Sequence, residues 1–367
     1  MEPFKLERYF AKYEFIAPFV LSASDCESLA LRELLALADD EARRLWDGLS
    51  LGYTESPGHP LLRQEIAGLY TSQAGPDGVL VAAPEEAIFI YVNTLLSPGD
   101  EVVALAPAYQ SLHSLARALG CKLVPWTVTK TGQKWTVDLD RLESLLSDRT
   151  RLLVINFPHN PTGCLPTLAE FEAILALAER HGTFVFSDEM YRLLEYDIQR
   201  RLPPACDRYE RATSLSGMSK ALGLPGLRIG WLAGRDTQLY QRWQEYKDYT
   251  TICSSAPSEI LALIGLRAHD AIVARNLEIV RANLAQAEAF CTRHAGLFGW
   301  LAPQAGSVAF PEWRGTGGVE DFCARCLERQ GVMVVPGSMF DYDGPHFRVG
   351  LGRRNFPQAL ERVEAAI

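Results

Sequence analysis

Between residues 101 and 234 the chain alternates short apolar runs with helical patterns, and this alternation restricts the possible folds more than any other feature. EVVALAP (101–107), RLLVINF (151–157), TFVFSDE (183–189), ATSLS (212–216) and LRIGWLAG (227–234) read as strands. YQSLHSLARALG follows the first and LAEFEAILALAERHG (168–182) the second, both with apolar residues at helical spacing. Strands alternating with helices of this length predict a parallel or mixed α/β sheet covered on both faces. In such sheets ligands sit outside the carboxyl ends of the strands. That rule directs attention to FPHNPTG (157–163) and SDEMY (187–191).

From about residue 236 the pattern changes to longer helices. HDAIVARNLEIVRANLAQAEAFCTRH (269–294) contains neither Gly nor Pro and predicts one long connecting helix. GSVAFPE, GVMVVPG and HFRVGLG then supply short apolar runs before a closing helix, the pattern of a small α+β unit. A chain of 367 residues is too long for one simple core and accommodates a large domain and a smaller one. No repeat or low-complexity linker separates them, so the two are expected to pack tightly.

Charge narrows the function. With 36 basic and 45 acidic residues the net charge is −9, which gives no electrostatic reason to expect nucleic acid or an anionic membrane as partner. The start, MEPFKLERYF, is charged and lacks the apolar core of a secretory signal. No uncharged apolar run is long enough to span a bilayer, and a cytoplasmic location is the expectation. The eight cysteines are scattered except for Cys323 and Cys326, which lie in a helical pattern with no second pair and no nearby histidine. Free thiols are therefore expected. The seven histidines show no ligand spacing, and no metal is expected.

Chemistry concentrates in SLSGMSKALGLPGLRIGW (214–231). Lys220 is an odd residue for so apolar a stretch: it is either solvated or kept there for its amine. Arg228 follows eight residues later, giving G-M-S-K-x-x-G-x-x-G-x-R-x-G. Asp188 ends a predicted strand, with Tyr191 three residues on; Asn160 sits in N-P-T-G; Tyr109 follows the first strand; Arg348 lies in HFRVGLG. Singly, each has a plain explanation: a surface lysine, a turn aspartate, a turn asparagine, packed tyrosines, an arginine in a surface ion pair. Together and in this order they resemble the fold-type-I pyridoxal-phosphate enzymes, specifically the class I/II aminotransferases related to aspartate aminotransferase. The resemblance runs from GYTESPGHPLLRQEI (52–66) to FRVGLG (347–352).

The resemblance implies a large domain (41–268) with a mostly parallel seven-stranded sheet sandwiched by helices, and a small α+β domain formed by the chain ends (1–40 and 269–367). It implies pyridoxal 5'-phosphate as cofactor, bound to Lys220 as a Schiff base. Asp188 would hold the proton of the pyridine nitrogen, Tyr191 and Asn160 would donate to the ring's phenolic oxygen, and Tyr109 would stack on the ring. Arg228, with Ser219, would clamp the phosphate. Arg348 would bind the substrate α-carboxylate, with Asn160 and Ser22 beside it, and so fix the Cα–H bond within reach of Lys220. An apolar setting suits an amine that must be uncharged to take that proton. Tyr53 would reach across a homodimer to the partner's phosphate, and Ser254 or Ser255 lies in a stretch, DYTTICSSAPSE, that also approaches the partner's site.

Two departures stand out. The small Gly-rich phosphate loop of the family is replaced by AAPEEAIF (82–89), where Pro84 removes a backbone donor and Glu85 and Glu86 place negative charge beside a dianion. Both glutamates can point away while their backbone amides hold the phosphate at a helix start. Gly217 stands where the family usually has a phosphate-binding hydroxyl.

The implied activity is transfer of an amino group between an L-amino acid and a 2-oxo acid. A lyase, an oxidase, or a cyclase as in capreomycidine synthase would share the same motifs. A non-catalytic aminotransferase-like binding domain is the alternative outside enzymes, but the sequence carries no attached basic helix-turn-helix and keeps Lys220 and Asp188. KYEFIAPFVLSASDCESL (12–29) is expected over the active site, with Phe15, Phe19, Ser22, Ser24, Glu14 and Asp25. The acidic pair there would favour a basic amino acid, and helix capping accounts for Asp25 equally well. Nothing obvious supplies an arginine for a second substrate carboxylate.

Overall fold

The computed structural model describes residues 1–72 and 75–367. Seven strands form one sheet: β1 (Val79–Ala82), β2 (Glu101–Ala106), β3 (Lys122–Thr127), β4 (Thr150–Asn156), β5 (Phe184–Asp188), β6 (Ala212–Gly217) and β7 (Gly230–Gly234), in the spatial order β1-β7-β6-β5-β4-β2-β3. Only β7 runs against its neighbours, antiparallel to both β1 and β6; the other pairs are parallel.

The strand side chains divide cleanly between the two faces. Leu80, Val102, Ala104, Leu152, Val154 and Phe186 join one core cluster, with helices Pro84–Leu95, Thr237–Lys247 and His269–Arg293. Val103, Leu105, Leu153, Ile155 and Val185 join a second, covered by helix Leu168–Arg180. Val79, Val81, Trp231 and Ala233 join a third, covered by helices Pro60–Ala67 and Ala256–Arg267. Each buried Val, Leu or Ile contributes roughly 1.5–3 kcal/mol by leaving water. Burial on both faces is why these strands are continuous apolar runs rather than alternating ones.

The sequence reading overlooks β1 and β3. β1 is only four residues long and runs straight into a helix. β3 contains Pro125, which a central strand would not tolerate; it lies at the sheet edge, where a missing donor costs little. The strand expected at 227–234 begins three residues later, because Pro225–Leu227 forms a 3₁₀ turn and Arg228 is left-handed at φ 55°. The connecting helix is unbroken from His269 to Arg293, as its composition predicts.

The two chain ends meet beside the sheet. Phe19–Val20 pairs in parallel with Val332–Met333, and Phe347–Gly350 lies between Val308–Ala309 and Val335–Pro336. Helix Lys5–Tyr13 is held there by buried Leu6 and by the Tyr9 hydroxyl, which donates to the Val334 carbonyl at 3.1 Å. No helix among the described residues is long and apolar enough to cross a membrane.

Candidate active site

The parallel strands aim their carboxyl ends at one cleft of about 400 Å³. Asp188, the last residue of β5, is buried there and accepts a hydrogen bond from the Met190 amide at 3.0 Å. Burial pushes its carboxyl up to about 6, with the Lys220 ammonium and the Met190 amide opposing the shift. A carboxylate so placed is stabilised by any cation that arrives in the cleft.

The loop after β4 is fastened by its own side chains. The Asn156 amide donates to the Asp188 carbonyl at 2.9 Å and accepts from the Asn160 backbone at 2.8 Å. The His159 Nε2 faces the Pro107 carbonyl at 2.7 Å, and its Nδ1 faces the Thr162 hydroxyl at 2.7 Å. A carbonyl only accepts, so Nε2 carries the proton and Nδ1 accepts. Burial lowers this histidine to about 4, so it stays neutral and ties the Asn160 loop to the segment carrying Tyr109. Neither Asn156 nor His159 stands out in the sequence, because their partners are distant in the chain.

Beyond β6, Lys220 Nζ donates to the Ser24 hydroxyl at 2.8 Å, and buried Ser219 has a hydroxyl with no partner among the described residues. Gly217 has a packing reason to lack a side chain: a Cβ there would lie 2.9 Å from Gly230 Cα and 3.0 Å from the Ile229 carbonyl. Gly230 is confined in turn by Pro84, whose Cγ would lie 2.9 Å from an added Cβ. The hydroxyl expected at 217 is therefore excluded by the close approach of β6, β7 and the start of helix Pro84–Leu95. Arg228 lines the cleft and donates to the Pro225 carbonyl at 3.2 Å.

The two glutamates of the atypical loop part company. Glu86 turns away from the cleft: it accepts from the Thr251 hydroxyl at 2.7 Å, faces buried Lys247 at 3.6 Å and caps the Ala83 amide at 3.3 Å. Glu85 lines the cleft, takes a hydrogen bond from Ser111 at 3.1 Å, and is pushed up to about 7 by burial. A carboxyl only partly ionised near pH 7 lessens the conflict with an anion at this helix start.

Opposite the sheet, Arg348 is only 2 % exposed. Its Nη1 donates to Asn160 Oδ1 at 3.2 Å and its Nη2 to the Ser22 carbonyl at 2.9 Å, while its Nε has no partner among the described residues. With Asn160 Oδ1 so engaged, Nδ2 is the donor left to the cleft. The Tyr191 hydroxyl is likewise buried and unpartnered. Tyr109 donates to Glu7 Oε1 at 2.8 Å.

Lys220, Asp188, Tyr191, Asn160, Tyr109 and Arg348 thus line one cleft, and Ser219, Arg228, Pro84 and Glu85 line it as well. Glu86, Ser22 and Tyr53 do not; Ser22 contributes its carbonyl to Arg348 instead, and Tyr53 is 93 % exposed. Ser254 and Ser255 also lie outside the lining. The sequence reading passes over Glu7, Phe10 and Arg353, which do line the cleft. Helical spacing from Leu6 and Phe10 was the available signal for Glu7.

The donors suit a phosphorylated pyridine. Unpartnered buried hydroxyls at Tyr191 and Ser219, the Arg228 guanidinium and the first-turn amides of helix Pro84–Leu95 are matched to anionic oxygens. Asp188 is matched to a protonated ring nitrogen, and Lys220 to an aldehyde. Such a cleft at the carboxyl edge of a doubly covered sheet defines a site of the pyridoxal-phosphate type.

The family model described as aminotransferase class I and II matches residues 19–363, and the chain belongs to that family of pyridoxal 5'-phosphate-dependent enzymes. It is 33 % identical over 371 residues to capreomycidine synthase of Streptomyces vinaceus, covering 100 % of this chain and 92 % of that protein. Among solved structures it is similar to a PLP-dependent aminotransferase from Streptococcus suis, with TM-score 0.92 and 27 % identity over 100 % of this chain and 97 % of that one. It is also similar to the PLP-dependent cyclase OrfR, with TM-score 0.90 and 27 % identity over the same shares of the two chains.

Proposed function

We propose that the protein is an aminotransferase that moves an amino group between an L-amino acid and a 2-oxo acid, with Lys220 as its central residue. The observation that carries this is the meeting of Lys220, Asp188 and Arg348 in one cleft. The cofactor, when bound, supplies an electron sink for charge at the substrate Cα. Lys220 Nζ would hold the cofactor covalently, and the same amine, once released by substrate, is the base placed to take the Cα proton. Asp188 would keep the ring nitrogen protonated, Tyr191 and Asn160 Nδ2 would donate to the phenolic oxygen, and Tyr109 would pack against the ring. Ser219, Arg228 and the amides of residues 85 and 86 would hold the phosphate. Arg348 Nε and its neighbouring nitrogens grip the α-carboxylate and orient the Cα–H bond. Residues 41–268 form the cofactor-binding domain in this assignment, and the chain ends form the domain that presents Arg348.

Exposed Tyr53 belongs to a homodimer in which it reaches the partner's phosphate. Mixed dimers of Tyr53→Phe and Lys220→Ala chains test this, since activity recovered in the hybrid requires a shared site.

A second reading, cyclisation of an amino acid side chain, is favoured by the full-length similarity to capreomycidine synthase and to the cyclase OrfR. One experiment separates the two. The visible absorption of the holoenzyme is followed while L-amino acids are added, and the products are weighed by mass spectrometry. A band that bleaches and returns with a 2-oxo acid, with the amino group found on the new product, marks an aminotransferase. A product that keeps its α-nitrogen and gains a ring marks a cyclase.

A further inference from the structure

The charges of the cleft do not balance. Its cations are Lys220, Arg228, Arg348 and Arg353; its carboxylates are Glu7, Glu14, Asp25, Glu85 and Asp188. Arg353 is committed to Asp25 at 2.6 Å. Lys220 stands near Asp188, and Arg348 is held by neutral oxygens. Glu85 lies at the helix start, bonded to Ser111. Among the described residues neither Glu7 nor Glu14 forms an ion pair: Glu7 takes the Tyr109 hydroxyl and attracts Arg348 only at longer range, while Glu14 feels Arg353 and Lys220 at longer range and receives no side-chain hydrogen bond.

These two residues share a face. Lys5–Tyr13 is helical and Glu14 continues with helical dihedrals, so a spacing of seven puts both carboxylates on one side, about 10 Å apart along the axis. Both are half-buried, with Phe10 between them also lining the cleft. Burial raises the Glu14 carboxyl, Asp25 and Glu7 raise it further, and Arg353 and Lys220 only partly oppose the shift. A cation arriving there relieves repulsion and breaks no existing ion pair.

Acidic side chains alone do not define a ligand. The independent observation is Arg348, 2 % exposed, with an unpartnered Nε, lining the same cleft. The cleft therefore has a binder of carboxylate in one place and unpaired carboxylates in another. We infer that it selects an amino acid whose side chain ends in a cation, a guanidinium or an ammonium, received by Glu7 and Glu14 while Arg348 takes the α-carboxylate. This rests on the amino-acid site proposed above and holds for either the aminotransferase or the cyclase.

The test uses the purified holoenzyme and pairs of amino acids alike in shape but different in charge: L-arginine with L-citrulline, and L-lysine with L-norleucine. Half-saturation is read from the change in cofactor absorption. In at least one pair the cationic member is expected to half-saturate at a concentration lower by about tenfold or more, and the pair that shows it identifies guanidinium or ammonium. In Glu7→Gln or Glu14→Gln that ratio collapses toward one. If Glu7→Gln loses the cofactor band, Glu14→Gln carries the test. Ratios near one in the unaltered enzyme, or ratios unchanged in both variants, overturn the inference while leaving the amino-acid site intact. If no amino acid of either charge moves the spectrum, the amino-acid site itself is wrong, and the inference falls with it.

Discussion

The two walls of the cleft are built differently. The sheet wall hangs from buried strand ends: Asp188 closes β5, Ser219 and Lys220 follow β6, and Asn160 sits in a loop fastened by Asn156 and His159. The opposite wall comes from the chain ends, where helix Lys5–Tyr13 is attached by side-chain contacts such as Tyr9 to Val334 and Lys5 to Asp341. The first wall carries groups suited to one invariant ligand, a phosphorylated ring. The second carries Glu7, Glu14 and Arg348, to which we assign the incoming amino acid. The groups of the first wall stand at or just beyond the ends of strands of the seven-stranded sheet. Arg348 stands in a separate three-stranded sheet, and Glu7 and Glu14 stand on a helix and at its end, held by side-chain contacts.

That contrast is open to attack from both walls. The largest effect belongs to the sheet wall: Lys220→Ala is expected to lower kcat/KM by at least about 10³-fold, and near-normal turnover would sink the assignment. Next comes Arg348→Ala. Losing a buried, charge-assisted contact is expected to raise the half-saturating amino acid concentration by roughly a hundredfold, with the cofactor spectrum retained in the absence of amino acid. Loss of cofactor instead would place Arg348 on the wrong wall.

A pH titration sharpens the role of Asp188. Its carboxyl is raised to about 6 by burial, and cofactor binding favours the ionised form. Affinity is therefore full above this value and falls as the pH drops through it, by at most about tenfold per pH unit. Lys220 lowers and Glu189 raises it electrostatically, and Glu85 shares the same cleft. Equilibrium dialysis of the cofactor between pH 7.5 and 5 reads the slope, and Asp188→Asn should flatten it; an equal slope in the variant removes Asp188 from cofactor binding.

The smallest effect is at Glu86, which the sequence places in the phosphate loop and the structure turns outward. Glu86→Gln should act on stability rather than on amino acid affinity. Fully buried Lys247 loses its anionic neighbour, a change of about 1–3 kcal/mol. Urea unfolding measures it, and a loss of cofactor affinity without a loss of stability would return Glu86 to the cleft.

Much of the sheet wall is legible in sequence because its residues sit at fixed offsets from strand ends. Lys220 and Arg228 share one segment, and Asp188 and Tyr191 share another, so local spacing reports them. The chain-end wall is not legible in this way. Glu7 meets Tyr109 and Arg348 meets Ser22 only through tertiary packing. The same limit explains Ser24, which takes the Lys220 amine where the sequence singles out Ser22. Neighbouring residues in an irregular segment point in directions that only the packed backbone decides. Edge strand β3 was hidden by its proline and β1 by its brevity. Gly217 shows the reverse case, a residue that looks like a lost function and proves to be a steric requirement.

The bond from Arg348 to Ser22 joins residues 326 positions apart. During synthesis the first residues leave the ribosome long before their partners exist. Helix Lys5–Tyr13 finds Tyr109 and Gln110 early, but its bond from Tyr9 to Val334, like the bond from Arg348 to Ser22, waits for nearly the whole chain to emerge. On the roles proposed here, the grip on the amino acid is thus the last part of the cleft to assemble: a chain cut short before the strand Phe347–Gly350 would hold every strand of the seven-stranded sheet and still lack Arg348.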